Sequence, residues 1–264
     1  MYRLKKFYAP GFDPKQHWED KYAQSHIAGK SSDQFRQQGF WPLLEKQLVR
    51  SGNYLDVGCG IGGWVLFLHE EGYSVQGIDS AARVIRALTE YSPDLQLKVG
   101  EPNRLPYVDN NFDGLLAVGL LEYQDGTVSE SLKEMHRVLR DDGFLFIEVP
   151  IVNTLRRLLY IPLKRLQHLL LSAAGREATF ANYLFDRSSF VRGIKAAGFD
   201  VEAVAPHDLP TPGSHYGLWI DFKFLRGKEP YQLNIAGMTV KTIANLISPW
   251  IASTGMVVVA RKRA

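Results

Sequence analysis

The segment LDVGCGIGGW, residues 55–64, places four glycines within six residues, directly after a short apolar run. Glycine has no Cβ, so such a loop can take left-handed backbone angles and let a ligand approach the bare main chain. Gly58, Gly60 and Gly63 satisfy the pattern G-x-G-x-x-G, which in nucleotide-binding folds follows a strand and opens a helix. The segment therefore predicts a strand, a ligand-binding loop and a helix, with an ordinary tight turn as the alternative.

Strand-like and helix-like hydrophobic periods alternate along the chain. Strands are predicted at 53–58, 73–79, 94–100, 112–121, 144–150, 199–206 and 254–262. Helices are predicted at 62–72, 80–91, 127–143 and 188–198. This alternation predicts an α/β fold with a doubly wound parallel sheet, whose ligands bind at the carboxyl ends of the strands. The final strand is expected to be antiparallel and inserted at the sheet edge.

Two aspartates narrow the identity of the ligand. Asp79 ends the second predicted strand, where a carboxylate can accept hydrogen bonds from ribose hydroxyls, and this alone would allow NAD. Asp56 stands two residues before the first glycine. An anion there repels a pyrophosphate but pairs with an ammonium or sulfonium group. The antiparallel final strand is also foreign to the dinucleotide fold, so a cationic ligand is favoured.

The motifs, taken in order, resemble those of class I S-adenosylmethionine (SAM)-dependent methyltransferases of the small-molecule type, akin to the quinone-biosynthesis methyltransferases. The matching segments are LDVGCGIGG (55–63), GID (77–79), VGEPNRLPYVDNNFDG (99–114), LLAVGLLEY (115–123), LKEMHRVLRDDGFLFIEVP (132–150) and NYLFDRSSFVRGIKAAGFDVEAV (182–204). The resemblance implies a Rossmann-like sheet, mostly parallel with an antiparallel C-terminal strand. It also implies SAM as the methyl donor and S-adenosylhomocysteine as the product.

The resemblance further implies which residues contact the cofactor. They are Trp18, Tyr22, Asp56, Gly58, Cys59, Gly60, Gly62, Asp79, Ser80, Glu101, Pro102, Gly119 and Leu120. Asp56 and the glycine loop are expected to face the methionine part of SAM, and Asp79 the ribose. Glu101, which stands where the family more usually has aspartate, is expected to face the adenine amino group. Trp18 and Tyr22 match a WxxxY-like segment that lies over the cofactor.

Candidate catalytic residues are few. After the fourth strand the family often has Glu-His, whereas this chain has Glu122-Tyr123, so a histidine base is absent there. We take Glu122, Tyr123, His207 and His215 as the candidates. No histidine pair has metal-ligand spacing and Cys59 is the only cysteine, so no metal site and no internal disulfide are expected.

The domain prediction is a single methyltransferase domain over residues 1–264, with a helical N-terminal extension (1–50) and insertions at 151–185 and 207–253. Acceptor specificity is expected to reside in these additions, because the core motifs fix only the donor.

The first insertion is both basic and amphipathic. The whole chain has a net charge of +3, yet residues 151–176 contain five basic residues and no acid, so this segment carries +5 and the rest −2. Along a helix over 155–175, Arg157, Lys164 and His168 lie opposite an apolar stripe. The stripe consists of Leu155, Leu158, Leu159, Leu163, Leu166, Leu169 and Leu170. Pro162 is expected to end one helix and begin a second.

Two interpretations of this stripe remain open. We favour a helical cap whose leucines pack over the acceptor pocket. The alternative is peripheral contact with an anionic membrane through 155–175. The two are compatible if the acceptor is itself a lipid.

The sequence thus predicts a SAM-dependent methyltransferase acting on a small, apolar or amphipathic acceptor: a quinone, a lipid-linked sugar or a polyketide-like molecule. The alternatives are a non-catalytic SAM-binding regulator or partner protein and, less favoured, an NAD-dependent oxidoreductase. A nucleic-acid acceptor is not expected, because the Asn/Asp-Pro-Pro-aromatic motif and a broad basic face are both absent. Without a signal peptide or spanning segment, we expect a cytoplasmic protein, either free or peripheral at the membrane.

Overall fold

A seven-stranded sheet forms the centre of the fold in this computed structural model, which describes residues 1–7, 32–209 and 211–263. The strands are β1 (Tyr2–Lys6), β2 (Asn53–Val57), β3 (Ser74–Asp79), β4 (Gln96–Val99), β5 (Phe112–Val118), β6 (Leu139–Pro150), β7 (Thr179–Leu184), β8 (Phe199–His207) and β9 (Gly255–Lys262). The sheet has the order β4-β3-β2-β5-β6-β9-β8, while β1 and β7 form a separate antiparallel pair. Within the sheet β9 is antiparallel to both of its neighbours, and the pairs from β4 to β6 are parallel. The predicted fold is confirmed, including the inserted antiparallel strand.

The described helices connect these strands and cover the sheet. They are α1 (Ser32–Arg36), α2 (Trp41–Glu45), α3 (Gly63–Glu70), α4 (Ala82–Tyr91), α5 (Val128–Val138), α6 (Ile161–Ala173), α7 (Arg187–Ala196), α8 (Tyr216–Asp221) and α9 (Ile235–Ile247). Short helical turns occur at Leu121–Tyr123, Arg156–Tyr160, Lys223–Leu225 and Pro249–Ile251. The turn at Arg156–Tyr160 is a π-helix that runs directly into α6.

The two faces of the sheet carry separate apolar cores. Side chains alternate along β6: Leu145 and Ile147 pack with α5 and α7, whereas Phe144 and Phe146 pack with α3 and α4. A third, smaller core joins β1 and β7 to the chain around α8 and α9, through residues such as Leu4, Leu184 and Leu218. We call the segments that share this third core, namely β1, 151–185 and 211–253, the cap layer.

Two predicted helix boundaries are wrong. The helix predicted over 127–143 ends at Val138, because Leu139 turns into an extended conformation and pairs with Phe112 of β5. Ser80 does not cap the next helix: α4 begins at Ala82 with Ala81 as its N-cap and no side-chain cap bond. The carboxylate of Asp79 instead accepts a hydrogen bond from the Ala81 backbone N–H.

The predicted helical extension over 1–50 is wrong for its first residues. Residues 2–6 form β1, paired antiparallel with β7, and helices appear only as the short α1 and α2. The cofactor predictions at Trp18 and Tyr22 lie outside the described residues.

The leucine stripe of the first insertion is oriented opposite to the favoured prediction. Leu158, Leu159, Leu163, Leu166, Leu169 and Leu170 are all exposed, so these leucines do not pack over a pocket. The polar side of α6 faces the protein instead: His168 Nε2 lies 3.0 Å from the backbone oxygen of Lys5 in β1. The physical reason is that β1 offers α6 backbone carbonyls and aromatic rings, which suit basic side chains better than leucines.

Pro162 lies in the first turn of α6 as predicted, but it does not separate two helices. The chain is helical from 154 to 173, and the π-turn precedes the proline. In that turn the Ile161 N–H bonds to the Arg156 carbonyl, five residues back. No helix in the described part of the chain is long and apolar enough to cross a bilayer.

Candidate functional site

The glycine loop between β2 and α3 adopts the backbone conformation that its sequence predicts. Gly58, Gly60 and Gly62 have φ angles of 77°, 52° and 85°, in the left-handed region that favours glycine. The backbone N–H groups of Gly58 and Cys59 donate to the Ile78 carbonyl at 2.7 and 3.1 Å. The loop is therefore fixed to the end of the neighbouring strand β3.

Asp79, at the end of β3, is bonded to this loop. Its Oδ2 accepts a hydrogen bond from the Gly60 N–H at 2.9 Å, and its Oδ1 accepts one from the Ala81 N–H, also at 2.9 Å. Each carboxylate oxygen has a second lone pair. The side chain is thus held in one orientation while it keeps acceptor capacity for ribose hydroxyls.

Asp56 is buried at the end of β2, and no cation among the described residues pairs with it. Burial, together with the nearby charge of Asp79, raises the pKa of its carboxyl group to about 7, and the Val65 backbone N–H only partly offsets this. A buried acid of this kind is stabilised by a cation placed beside it. The amino group of SAM would supply that cation, so Asp56 fits this ligand.

Four other predicted cofactor residues, Cys59, Ser80, Glu101 and Pro102, differ in how far they are buried. The side chain of Cys59 lies in the core, where a Cβ on Gly77 would come within 3.0 Å of its Sγ, so a contact between Cys59 and the cofactor would be made by its backbone. Glu101 is exposed and Pro102 is buried, both after the end of β4. Ser80 is half-buried beside Asp79.

Gly119 and Leu120 follow β5 at the same edge of the sheet as the glycine loop. Gly119 has a φ of 65°. A Cβ added to Gly58 would come within 2.6 Å of Leu120 Cδ1, so the loops after β2 and β5 touch. The residues predicted after the fourth strand therefore do adjoin the glycine loop.

A cavity of about 440 Å³ lies between the ends of β5, β6 and β8 and the cap layer. Its lining combines titratable and apolar side chains, among them Leu4, Glu122, Tyr123, Glu148, Arg156, Tyr160, Phe180, His207, Asp208, Tyr216, Asp221 and Thr254. Ligand pockets typically have volumes of roughly 300–1,000 Å³ and a few convergent polar groups. Glu122, which lines the cavity, is three residues after Gly119. The cavity therefore adjoins the predicted cofactor site.

Glu122 and Glu148 are two neighbouring acids in this cavity. Glu122 is buried, and its Oε2 has no hydrogen-bond partner among the residues that the structure describes. Burial and the nearby Glu148 raise its pKa well above the usual range. Desolvation, followed by the charge of Asp208, raises the pKa of Glu148 to about 7. Like charges this close do not both ionise readily, so the pair holds a proton near neutral pH. Glu148 was not predicted as a site residue, because in the sequence it is a single acid within a buried strand.

Of the predicted histidines, only His207 lines the cavity. Burial lowers its pKa to about 4, and the adjacent Asp208 only partly offsets this, so the imidazole is neutral at neutral pH. The ring centroid lies 4.8 Å from that of Phe40.

His215, another of the catalytic candidates, does not line the cavity. It is the N-cap of α8: its Nδ1 accepts from the Leu218 N–H at 3.1 Å and lies 2.9 Å from Asp208 Oδ2. The Thr254 hydroxyl donates to the same Asp208 carboxylate. Tyr123, the remaining candidate, is exposed at the rim of the cavity.

Arg156 fixes the cap layer to the sheet. Its Nε donates to Asp221 Oδ2 at 2.7 Å, and its Nη1 donates at 2.8 Å to the carbonyls of Ile151 and Thr254. Both charged side chains are almost fully buried. In the sequence Arg156 is one of five basic residues of the first insertion, and nothing in that pattern shows that its side chain is buried.

Comparisons with known proteins agree with this geometry. Residues 55–147 match a family model described as a methyltransferase domain. A demethylmenaquinone methyltransferase from Staphylococcus epidermidis is 32% identical over 121 residues, covering 42% of this chain and 49% of that protein. One from Chlorobaculum parvum is 27% identical over 176 residues, covering 61% and 71%. The chain thus spans about half the length of the first of these curated relatives.

A solved structure of a SAM-dependent methyltransferase from Methanosarcina mazei superposes with a TM-score of 0.59 at 19% identity. The superposition covers 84% of this chain and 97% of that one. The chain therefore carries a class I methyltransferase fold, and the family resemblance read from its motifs is confirmed.

Proposed function

Taking the methyltransferase domain at residues 55–147 and its class I fold as the premise, we propose that this chain transfers a methyl group from SAM to a small acceptor. The observation that carries the proposal is the buried, uncompensated Asp56 beside a left-handed glycine loop that is bonded to Asp79. A pyrophosphate would meet repulsion from Asp56, whereas a cationic amino acid end is attracted.

Each part of SAM has a counterpart in the chain under this proposal. Asp56 pairs with the amino group, and the backbone of the glycine loop lies along the methionine part. Asp79 accepts hydrogen bonds from the ribose hydroxyls. Glu101, exposed after β4, takes the adenine amino group. The bound group supplies an electrophilic methyl on a sulfonium, and the chain orients it toward the cavity.

The acceptor binds in the cavity next to Glu122. Holding an acceptor atom in line with the methyl and excluding water supplies much of the rate enhancement for such a transfer. When the acceptor attacks through a hydroxyl or carbon, the proton that it loses needs a base. The Glu122–Glu148 pair is suited to this task, because the pKa of Glu148 is raised to about 7 and that of Glu122 is raised well above its usual range.

We propose an amphipathic aromatic acceptor of the quinol type. Leu4, Phe180 and Tyr160 supply an apolar wall, while the glutamate pair and Tyr216 supply hydrogen-bonding groups. A ring bearing hydroxyls and an apolar tail matches that mixture. The names of the curated relatives, demethylmenaquinone methyltransferases, point to the same class of acceptor.

The decisive experiment uses SAM labelled in its methyl group. The purified protein is incubated with this donor and either a demethylated naphthoquinol or a total lipid extract, and the labelled product is identified by mass spectrometry. Transfer to the naphthoquinol supports the full proposal, and transfer to another lipid supports the reaction but not the acceptor. Tight SAM binding with no labelled product would instead identify a non-catalytic SAM-binding protein. Calorimetric titration with NADH in parallel excludes the oxidoreductase alternative if no heat is observed.

A further inference from the structure

The outer face of α6 is an apolar surface. Four leucines of α6 (163, 166, 169 and 170) and two of the π-helical turn before it (158 and 159) are between 50% and 67% exposed. A surface helix normally turns its apolar stripe toward the core and its charged side toward water. Here the arrangement is reversed, since His168 and Lys164 lie on the side that contacts the protein.

Helix α9 repeats the pattern in a different part of the cap layer. Ile235, Leu246 and Ile247 are 80%, 82% and 72% exposed, and Met238 and Ile243 are also exposed. The one charged residue of α9 is Lys241, whose Nζ donates to the carbonyls of Pro212 and Ser214. The outward side of α9 therefore presents no charged group to solvent.

The turn at Lys223–Leu225 and the neighbouring Phe222 lie near the first residues of both helices. The ring of Phe222 lies 6.4 Å from Tyr160, at the start of α6, and 6.0 Å from Phe224, which is 74% exposed. The carbonyl of Phe224 accepts a hydrogen bond from Asn234, the N-cap of α9. The exposed side chains of α6, Phe224 and α9 thus belong to one layer, which we call the apolar cap surface.

Basic side chains accompany the apolar cap surface. Arg165 is exposed on the helical segment that carries the leucines, and Lys223 is exposed beside Phe224, while Arg157 on the same segment is paired with Asp186. The acid Asp221 near this turn is buried against Arg156 and so does not offset them at the surface. An apolar face flanked by Lys and Arg matches the interface of an anionic bilayer, where acyl chains lie beneath phosphate groups.

We propose that the apolar cap surface docks on anionic phospholipid bilayers, with α6 and α9 lying in the interface rather than crossing it. Docking places the cap layer, and the cavity that it lines, at the membrane surface. This inference concerns binding and stands independently of the proposed methyl transfer.

A second copy of the chain is a less suitable partner for the same surface. In a twofold dimer the same patch would face itself, which brings the basic segment 151–176 of one copy close to that of the other. Arg156 and Arg157 are paired with Asp221 and Asp186, but no acid within the segment offsets its other basic residues, Lys164, Arg165 and Arg176. An anionic membrane, in contrast, is complementary in both hydrophobicity and charge.

Vesicle flotation tests the proposal directly. The full-length protein is mixed with vesicles of phosphatidylcholine, with or without phosphatidylglycerol, and the floating fraction is measured at low and high salt. We expect binding to the phosphatidylglycerol vesicles that weakens as salt rises, since screening shortens the range of the attraction. The double variant Leu166→Glu/Leu169→Glu should lower the apparent partition coefficient by about tenfold or more, because two apolar side chains become anionic. Leu246→Glu/Ile247→Glu should do the same from α9.

Val108→Glu is the matched control. Val108 is 72% exposed in the loop before β5, outside the cap layer, so the same chemical change there should leave vesicle binding intact. Thermal melting of each variant verifies that it is folded. The proposal is overturned if the wild type does not float with phosphatidylglycerol vesicles, or if the leucine variants float as well as Val108→Glu. It is equally overturned if light scattering shows a wild-type dimer that the leucine substitutions dissociate without any vesicle binding.

Discussion

The Asp79 carboxylate and the Gly60 backbone N–H are joined by a 2.9 Å hydrogen bond, so the acid at the end of β3 helps to hold the glycine loop after β2. Asp79→Ala should therefore weaken SAM binding in two ways, by removing a ribose acceptor and by releasing the loop. Each charge-assisted hydrogen bond lost costs about 1.5–3 kcal/mol. Calorimetric titration measures the effect. Asp94→Ala removes an exposed acid before β4 and should leave affinity unchanged; equal affinity in both variants would refute the role of Asp79.

Gly60→Val should abolish SAM binding while the protein stays folded. Gly60 has a φ of 52°, and a β-branched residue there is strained and also places a side chain where the ligand passes. Gly126→Val is the matched control, because Gly126 also has a positive φ, of 79°, but a Cβ there would meet open space. Circular dichroism and titration separate the effects. Loss of binding in both variants would mean that backbone strain alone is responsible.

SAM affinity should increase as the pH rises from about 6 to about 8. Asp56 has a pKa of about 7, so its carboxylate becomes available to the ligand's cation only across this window. Asp56→Asn should bind more weakly and lose this pH dependence. Titrations in two buffers of different ionisation enthalpy detect the proton that binding releases. A pH-independent wild type would contradict the assignment of Asp56 to the amino group.

The free energy of unfolding of the ligand-free protein should fall as the pH rises from 4.5 to about 7, because of the raised pKa of the Glu148 carboxyl group. Its pKa is raised to about 7 in the folded chain, so the native state holds a proton that the unfolded chain has released. The contribution is complete below the usual pKa of 4.5 and is lost as the pH reaches about 7. At about 1.4 kcal/mol per unit of pKa shift, the change amounts to up to about 3 kcal/mol.

Glu148→Gln removes that titration. Urea unfolding across this pH range should show a shallower decline for the variant, which should be the more stable protein at pH 8. Parallel curves for the two proteins would count against the raised pKa.

Arg156→Met should destabilise the chain by about 3–5 kcal/mol, because Asp221 would remain buried without its counter-ion. The adjacent Arg157→Met removes an exposed ion pair with Asp186 and should cost at most about 1 kcal/mol. Chemical denaturation gives both values. The double variant Arg156→Met/Asp221→Leu should recover much of the lost stability. If Arg156→Met and Arg157→Met destabilised the chain equally, the buried ion pair would contribute no more than the exposed one.

The sheet and the donor side of the site were predictable from sequence because both depend on local patterns. Strand and helix periods, together with glycines at fixed spacing, are sufficient to place Gly58, Gly60 and Asp79. The motif places Cys59 in this loop but does not show that its side chain points into the core.

The acceptor side depends on contacts between residues that are distant in sequence. Glu148 meets Glu122 and Asp208 only after β5, β6 and β8 assemble, and Arg156 meets Asp221 only after the cap layer forms. The leucine stripe shows the same limit in a different way. Amphipathic periodicity identifies an apolar face of a helix, but it does not show whether that face packs against the protein or lies on its surface.

The position of β9 has a consequence for how the chain folds. It lies between β6 and β8, with the whole of residues 151–254 separating it in sequence from β6. Within the described residues β8 pairs with β9 alone, so this edge strand joins the sheet when the last strand arrives. Closing so long a loop costs conformational entropy before the contacts form. Pairing between residues distant in sequence also raises the contact order, which is associated with slow folding. The chain is therefore expected to pass through a state in which β2 to β6 are paired while the exposed edge of β6 still awaits its neighbour.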